Sequence, residues 1–115
     1  MTNYKPRKCS KRWLDGDCPA GILAILDNKG QSADRYTVIY AEPISGTTFA
    51  NMWLGYRAMS ENPFHPQGVG MYGEFRAYEC AAYRYRCKHQ YATWSSLPEK
   101  VKECVRQDLA ETIAA

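Results

Sequence analysis

The fold is decided by residues 35–42, Arg-Tyr-Thr-Val-Ile-Tyr-Ala-Glu. Successive side chains alternate between two apolar faces, one holding Tyr36, Val38 and Tyr40 and the other Thr37, Ile39 and Ala41. β-Branched and aromatic residues on both faces are typical of a strand that is covered on both sides. These residues therefore predict a central strand of a β-sheet.

Two further strands are predicted, one on each side of this stretch. Residues 21–27 contain the apolar run Ile-Leu-Ala-Ile-Leu, which stops at the turn signal Asn-Lys-Gly of residues 28–30. Residues 43–47, Pro-Ile-Ser-Gly-Thr, interrupt the pattern before a third candidate strand over residues 48–56. Short connections between consecutive strands favour an antiparallel meander.

The second half of the chain predicts a loop and two helices. Two prolines and two glycines between Pro63 and Gly70 exclude a continuous helix or strand there. Residues 72–91 predict one long helix, and Ser96 followed by Glu99 forms a capping-box pattern for a last helix. The last helix carries an apolar stripe with a spacing of four residues: Leu97, Val101, Val105, Leu109 and Ile113.

These elements predict a single α+β domain over residues 1–115, because a chain of this length has room for one core. We expect a basic N-terminal arm (1–19), a three-stranded antiparallel sheet (20–57), a Pro/Gly-rich loop (58–71) and two C-terminal helices (72–114) that pack the sheet. The loop carries Phe64, Val69 and Met71, which a solvated linker would avoid, so we expect packing to order it.

The predicted long helix has two apolar sectors on opposite sides. One sector holds Phe75, Tyr78, Ala81, Ala82 and Tyr85. The other holds Cys80, Tyr83, Cys87, Tyr91 and, if the helix extends that far, Trp94. A helix on a sheet needs only one apolar side, so either the last helix or a partner molecule is expected to cover the second.

Tyrosine and arginine are enriched at protein interfaces, and this helix alternates them. We predict a partner-binding surface made of loop and helix residues: Asn62, Phe64, His65, Gln67, Tyr83, Arg84, Arg86, Lys88 and Tyr91. Arginine would supply bidentate or stacking contacts, and tyrosine would supply contact area at low entropic cost.

Composition and cysteine usage limit the possible classes of protein. Apolar residues make up 45% and charged residues 23% of the chain, which argues against disorder. No apolar run is long enough for a membrane span, so no membrane partner is expected. Five irregularly spaced cysteines and the lack of a secretory signal predict a cytoplasmic protein with reduced thiols.

The charge is concentrated at the N-terminus. The first twelve residues contain five cations and no acid: Lys5, Arg7, Lys8, Lys11 and Arg12. Since the whole chain carries +3, the remainder carries −2. The arm is therefore an alternative binding site for nucleic acid, used together with the Tyr/Arg helix.

Three motifs suggest chemistry but lack the context that would support it. Residues 68–73 match G-x-G-x-x-G, but prolines stand where a strand should precede it. His65 lies between Glu61 and Glu74 and is the centre of a weaker enzymatic alternative. Cysteines 80 and 87 lie two helical turns apart, which is too far for both to bind one zinc ion. From these three motifs together, no metal site, catalytic residue or cofactor is assigned.

Three segments carry a resemblance: residues 34–40 (DRYTVIY), 55–68 (GYRAMSENPFHPQG) and 97–109, from Leu-Pro-Glu to Gln-Asp-Leu. They resemble short uncharacterised proteins of phages and mobile elements. The resemblance implies a binder that blocks a host machine, and anti-CRISPR proteins are one such group. It implies no catalytic residues.

The leading functional hypothesis is therefore a non-enzymatic protein-interaction module. Its expected partner is a host protein or ribonucleoprotein complex, and its expected role is inhibition of a host defence or nucleic-acid-handling complex. A phage-encoded chain would act in the host cytoplasm. A homodimer is also compatible with the sequence.

Overall fold

A computed structural model describes residues 13–114, with side chains as far as Glu111. The chain forms four strands and then two helices: β1 (Ile22–Asp27), β2 (Tyr36–Tyr40), β3 (Trp53–Met59), β4 (Gly70–Arg76), α1 (Ala77–Arg86) and α2 (Glu99–Ala114). Two short 3₁₀ helices, Lys88–Gln90 and Trp94–Ser96, lie between α1 and α2. The basic residues of the predicted arm lie outside the described residues.

The sheet is an antiparallel meander of four strands in the order β1-β2-β3-β4. The α+β class is as predicted, but the prediction of three strands is wrong. The additional strand is β4, whose residues pair with β3 without interruption from Gly70 opposite Met59 to Arg76 opposite Trp53. The third predicted strand was also misplaced, because residues 48–51 form a turn and the strand extends to Met59.

Residues 70–76 were expected to form a loop end and a helix start, and their glycines explain why they form a strand instead. Glycine weakens a helix interior. At Gly73 a Cβ atom would lie 2.5 Å from the ring of Tyr56, which is opposite it on β3. At Gly55 a Cβ atom would lie 2.3 Å from the hydroxyl oxygen of Tyr72. Each glycine therefore makes room for a tyrosine ring that crosses from the neighbouring strand.

Two apolar cores lie on opposite faces of the sheet. On one face Ile25 and Val38 pack with Trp94, Val101 and Val105, which come from α2 and the segment before it. On the other face the strand residues Leu26, Ile39 and Leu54 pack with Ala77 and Cys80 of α1. The two helices are therefore separated by the sheet, and α2 does not cover the second apolar sector of α1.

The predicted helix over residues 72–91 is wrong at both ends, because α1 has only ten residues. Its Cys80 side packs on the sheet, whereas the opposite side is open: Tyr78 is 49% exposed and Tyr85 71% exposed. Beyond α1 the chain turns, and Tyr91 forms an antiparallel bridge with Leu26 of β1. A long rod with two covered sides is therefore not formed.

The last helix was predicted correctly, but not its start. Val101 and Val105 of the predicted stripe are fully buried, and Leu97 is buried before the helix. Ser96 does not act as the N-cap, because its hydroxyl donates to Thr93 O (2.7 Å) and the helix begins at Glu99. Ile113 lies beyond the described side chains.

Candidate binding cleft

A cavity of about 620 Å³ opens between α2, the sheet and the connection that follows β2. We call it the Arg57 cleft. Its apolar lining consists of Tyr40, Pro43, Ile44, Tyr72 and Leu109, beside Gly21 and Gly55. Its charged lining consists of Glu42, Arg57, Asp108 and Glu111. Apolar walls with a few convergent polar groups are typical of binding sites.

The floor of the Arg57 cleft is a hydrogen-bond network centred on Asp108 of α2. Arg57 of β3 donates to both carboxylate oxygens, with 2.9 Å between Nε and Oδ2. The Tyr40 hydroxyl of β2 donates to the same Oδ2 atom. Arg57 Nη1 also donates to Gly70 O at 3.1 Å. Two strands, β2 and β3, are thus joined to α2 through one carboxylate, and Arg57 also joins β3 to β4.

Burial and these hydrogen bonds determine the charge state of the network. Burial raises the pKa of the Tyr40 hydroxyl, and its hydrogen bond to Asp108 raises that pKa further. The hydrogen bonds to Asp108 raise the pKa of the Arg57 guanidinium. At neutral pH Tyr40 is therefore uncharged and Arg57 is a cation. The network supplies a fixed polar floor rather than a proton donor that works near pH 7.

We expect the free energy of unfolding to fall as the pH rises above about 10, the ordinary pKa of tyrosine. The folded chain keeps the Tyr40 proton, whereas the unfolded chain releases it, so alkali favours unfolding. Urea unfolding at pH 8 and at stepwise higher pH measures the slope. Burial also raises the pKa of Tyr36, Tyr83, Cys80 and Cys104, and the two thiols begin to contribute below pH 10, so Tyr40→Phe should make the slope above pH 10 shallower without abolishing it. Equal slopes for the two proteins would contradict the expectation.

One wall of the cleft is the ring of Tyr72, which projects from β4 over Gly55. The guanidinium of Arg57 lies over this ring, with 5.3 Å between Cζ and the ring centroid. Ile44 also lines the cleft and is exposed. The cleft therefore offers accessible apolar surface to a ligand.

The rim of the cleft is negative. Asp108 and Arg57 neutralise each other, which leaves the carboxylates of Glu42 and Glu111. Both glutamates are exposed, and neither forms an ion pair with another residue of the described part of the chain. A ligand that complements this cleft carries positive charge at the end of an apolar stem.

The four predicted loop residues lie in the connection between β3 and β4, away from the Arg57 cleft. Asn62 Oδ1 accepts the Phe64 N–H (3.1 Å), and His65 Nδ1 accepts the Gln67 N–H (3.1 Å). These bonds, together with Gly68 N–H donating to His65 O (2.8 Å), connect the loop internally by hydrogen bonds, whereas the expected packing of its apolar side chains is not seen for Phe64 and Met71. The phenyl ring of Phe64 is exposed.

A second, polar pocket of about 460 Å³ contains Asn62, His65 and Gln67. It also contains Arg35, which pairs with Glu61 at 3.1 Å. Glu74, the other carboxylate expected near His65, lies in β4 and does not line this pocket. The grouping of one histidine with two carboxylates is therefore not formed.

Three of the five predicted helix residues are partly buried: Tyr83, Arg84 and Tyr91. The Tyr83 ring is half-buried, with its centroid 6.2 Å from that of Phe75. The Tyr91 ring is stacked on Trp13 at 4.5 Å, and its hydroxyl accepts Arg84 Nε–H at 3.1 Å. These two aromatic rings therefore contribute less contact area to a partner than the sequence suggested.

The other two predicted helix residues are exposed, and the guanidinium of Arg86 lies 5.9 Å from the centroid of the Tyr83 ring. Arg86 and Lys88 are both open to solvent, and Lys88 Nζ lies 4.2 Å from the centroid of the Tyr85 ring. Tyr78 and Tyr85 were assigned to one apolar sector of a longer helix, yet they form its exposed side. The periodicity identified two sides but not which one meets the sheet.

The tertiary structure nevertheless brings the predicted loop and the end of α1 to the same end of the sheet. The polar pocket that holds His65 is lined by Ser32 and Arg35. The same two residues line a neighbouring pocket of about 320 Å³ that contains Tyr83 and Cys87. The arm residues Lys5, Arg7, Lys8, Lys11 and Arg12 lie outside the described residues.

The described cysteines are free thiols: Cys18, Cys80, Cys87 and Cys104. Burial raises the pKa of Cys80 and of Cys104, which belong to the two different cores. Among the residues whose positions are described, no three His, Cys, Asp or Glu side chains are grouped as a metal site requires. Within the same residues, no helix has both the length and the apolar character needed to cross a bilayer.

The sequence analysis missed the residues of the Arg57 cleft, although two signals pointed to them. Asp108 follows Val101, Cys104 and Val105 at the helical spacing of the buried stripe, so a carboxylate occupies an inward position. Arg57 occupies an alternating position of a strand with an apolar core face. A cation and an anion at two inward positions predict a buried pair.

Comparison with protein-family models, with curated proteins and with solved structures found no match.

Proposed function

We propose that this protein is a non-enzymatic protein-interaction module that binds a lysine or arginine side chain of a partner in the Arg57 cleft. The observation that carries the proposal is the negative rim above apolar walls, formed by Glu42 and Glu111 without an ionic partner among the described residues. The stem of a basic side chain would lie along Ile44 and Tyr72, and its charged end would meet the two carboxylates.

The chemistry of the floor supports binding rather than reaction. Tyr40 holds its proton far above neutral pH, and Arg57 and Asp108 are bound to each other. General acid–base catalysis favours a group whose pKa is near the working pH. The weaker alternative, an enzyme centred on His65, draws no support from its surroundings, because Glu61 is paired with Arg35.

The negative rim also opposes nucleic acid in this cleft, because phosphates would meet carboxylates. Nucleic-acid binding through the basic arm stays a prediction, since the arm lies outside the described residues. That the partner belongs to a host defence complex likewise stays a prediction, which rests on the resemblance alone.

Short synthetic peptides test the proposal. We expect a peptide with central arginines to shift the backbone amide NMR signals of Gly21 and Gly55, which line the cleft. A peptide with glutamates in place of the arginines should leave both signals unchanged. The double variant Glu42→Gln/Glu111→Gln should weaken binding about three- to tenfold, since an exposed ion pair contributes up to about 1 kcal/mol.

Glu103→Gln is the matched control, because Glu103 is an exposed glutamate of α2 that does not line the cleft. It should leave peptide affinity unchanged. The proposal is wrong if the acidic peptide moves the two glycine signals, or if the double variant binds the arginine peptide as tightly as the unaltered chain. Signal changes around His65 instead would favour the loop surface.

A further inference from the structure

The two edges of the sheet are protected differently. The outer edge of β1 is covered, because Ala92 N–H donates to Ile25 O at 3.0 Å and the indole N–H of Trp13 donates to Leu23 O at 3.1 Å. Leu26 also forms a bridge with Tyr91. No described segment pairs with the outer edge of β4. An open edge offers a row of backbone donors and acceptors to another strand.

The hydrogen bonds at both ends of the β3–β4 ladder show which residues of β4 face outward. Ser60 N–H donates to Val69 O and Ala77 N–H donates to Met52 O, each at 2.9 Å. In an antiparallel ladder, residues whose backbone groups bond to the neighbouring strand alternate with residues whose backbone groups point outward. The bonds at Val69 and Ala77 therefore fix which residues between them point outward. The β4 residues with outward backbone groups are Gly70, Tyr72, Glu74 and Arg76.

The two ends of this outward row are already occupied. Gly70 O accepts Arg57 Nη1–H at 3.1 Å, and Arg76 N–H donates to Glu79 Oε1 at 2.9 Å. Between them, Tyr72 and Glu74 each keep an outward N–H and C=O that bond to no described residue. β4 contains no proline, lysine or bulge, which commonly protect an edge, and its charged side chains are Glu74 and Arg76.

We propose that β4 is a homodimerisation edge, on which β4 of a second copy pairs antiparallel about a two-fold axis at Gly73. Tyr72 of each copy would then face Glu74 of the other, and the two residues would exchange both backbone hydrogen bonds. Four hydrogen bonds would join two four-stranded sheets into one. The proposal rests on the backbone groups of β4 and not on the peptide site proposed above, although the Tyr72 ring also lines that cleft.

This register is selected by the free groups themselves. If Tyr72 faced Tyr72 of the partner copy, Glu74 would face Gly70, whose carbonyl is occupied. If Glu74 faced Glu74 of the partner copy, two carboxylates would lie opposite each other. Tyr72 would then face Arg76, whose N–H is occupied. Only the axis at Gly73 satisfies all four free residues, which favours a second copy over an unrelated peptide.

The side chains support the same pairing. Across the axis Met71 would lie opposite Phe75 of the partner copy, so an aliphatic chain that is 53% exposed gains an aromatic neighbour. At the axis, Gly73 of one copy would face Gly73 of the other in a non-hydrogen-bonded pair, where the two backbones lie close together. Because neither residue has a side chain, the backbones can approach without a clash.

Sedimentation equilibrium of the full chain tests dimerisation, and we expect a monomer–dimer equilibrium. Glu74→Pro removes the outward N–H of residue 74, which β3 does not use, and should weaken the dimer about tenfold or more. Glu74→Ala keeps that N–H and is the matched control, so it should still dimerise. A chain that is monomeric up to about 1 mM, or a dimer that Glu74→Pro leaves unchanged, overturns the proposal.

Hydrogen exchange on the unaltered chain gives a second test that does not depend on the folding of a variant. The amides of Tyr72 and Glu74 should exchange more slowly as the protein concentration rises. Oxidative crosslinking tests the register, because chains with Tyr72→Cys should link to chains with Glu74→Cys rather than to their own kind. Concentration-dependent protection only at other amides, or a 72–72 or 74–74 crosslink, overturns the proposed pairing.

Discussion

Replacing Trp94 with alanine is expected to lower the free energy of unfolding by about 3–5 kcal/mol. Trp94 is 0% exposed and packs against Val101 and Val105 of α2. Its indole N–H donates to Asp17 Oδ1 at 3.1 Å, and its backbone N–H donates to Trp13 O at 2.8 Å. Removal of the ring leaves a cavity between α2 and the sheet, which urea unfolding followed by far-ultraviolet circular dichroism measures.

Tyr85→Ala is the matched control for this prediction, because it removes an aromatic ring that is 71% exposed. Its effect should stay within about 0.5 kcal/mol. Domains of this size have a total stability of about 5–15 kcal/mol, so Trp94→Ala should unfold at a much lower urea concentration. If the two variants unfolded at the same urea concentration, the described core between α2 and the sheet would be wrong.

Asp108→Ala is expected to lower the free energy of unfolding by about 2–4 kcal/mol. The change leaves the Arg57 guanidinium and the Tyr40 hydroxyl without their shared acceptor in a partly buried site. Breaking a buried pair typically costs about 3–5 kcal/mol, and we expect slightly less because the Arg57 side chain keeps 22% exposure. Alanine is the better helix former, so the loss cannot come from the propensity of α2. Urea unfolding measures it.

The triple variant Tyr40→Phe/Arg57→Met/Asp108→Leu separates the cost of an unpaired charge from the value of the network. Replacing a whole buried ion pair by apolar side chains is often neutral or stabilising. The triple variant should therefore regain most of the stability that Asp108→Ala loses. A loss below about 0.5 kcal/mol for Asp108→Ala would show that water already solvates these groups.

Local periodicity was sufficient to locate two elements. The alternation in residues 35–42 located the central strand, and the four-residue spacing of Val101 and Val105 located the last helix. Both patterns are strong because most of the side chains that they bury are apolar. Element boundaries were less accurate, as the third strand shows.

Local periodicity failed where one stretch suited two structures. Residues 70–76 have helix-compatible apolar positions, but their pairing with β3 satisfies backbone groups and seats the Tyr56 ring at Gly73. A helical wheel also cannot tell which side of α1 meets the sheet. The side with Cys80 and Tyr83 packs inward, which leaves Tyr85 exposed, so the predicted partner surface lost two of its aromatic rings to internal contacts.

The sequence by itself determined that the chain is an α+β protein with a central strand apolar on both faces and an amphipathic last helix. Both properties follow from the residues' own spacing. Only the tertiary structure decided that β4 is the fourth strand of the sheet and that the helices lie on opposite faces. It also decided that Tyr40, Arg57 and Asp108 meet. Along the chain, Asp108 is 51 residues from Arg57 and 68 residues from Tyr40. Contacts at such separations depend on how the elements pack, which local spacing does not encode.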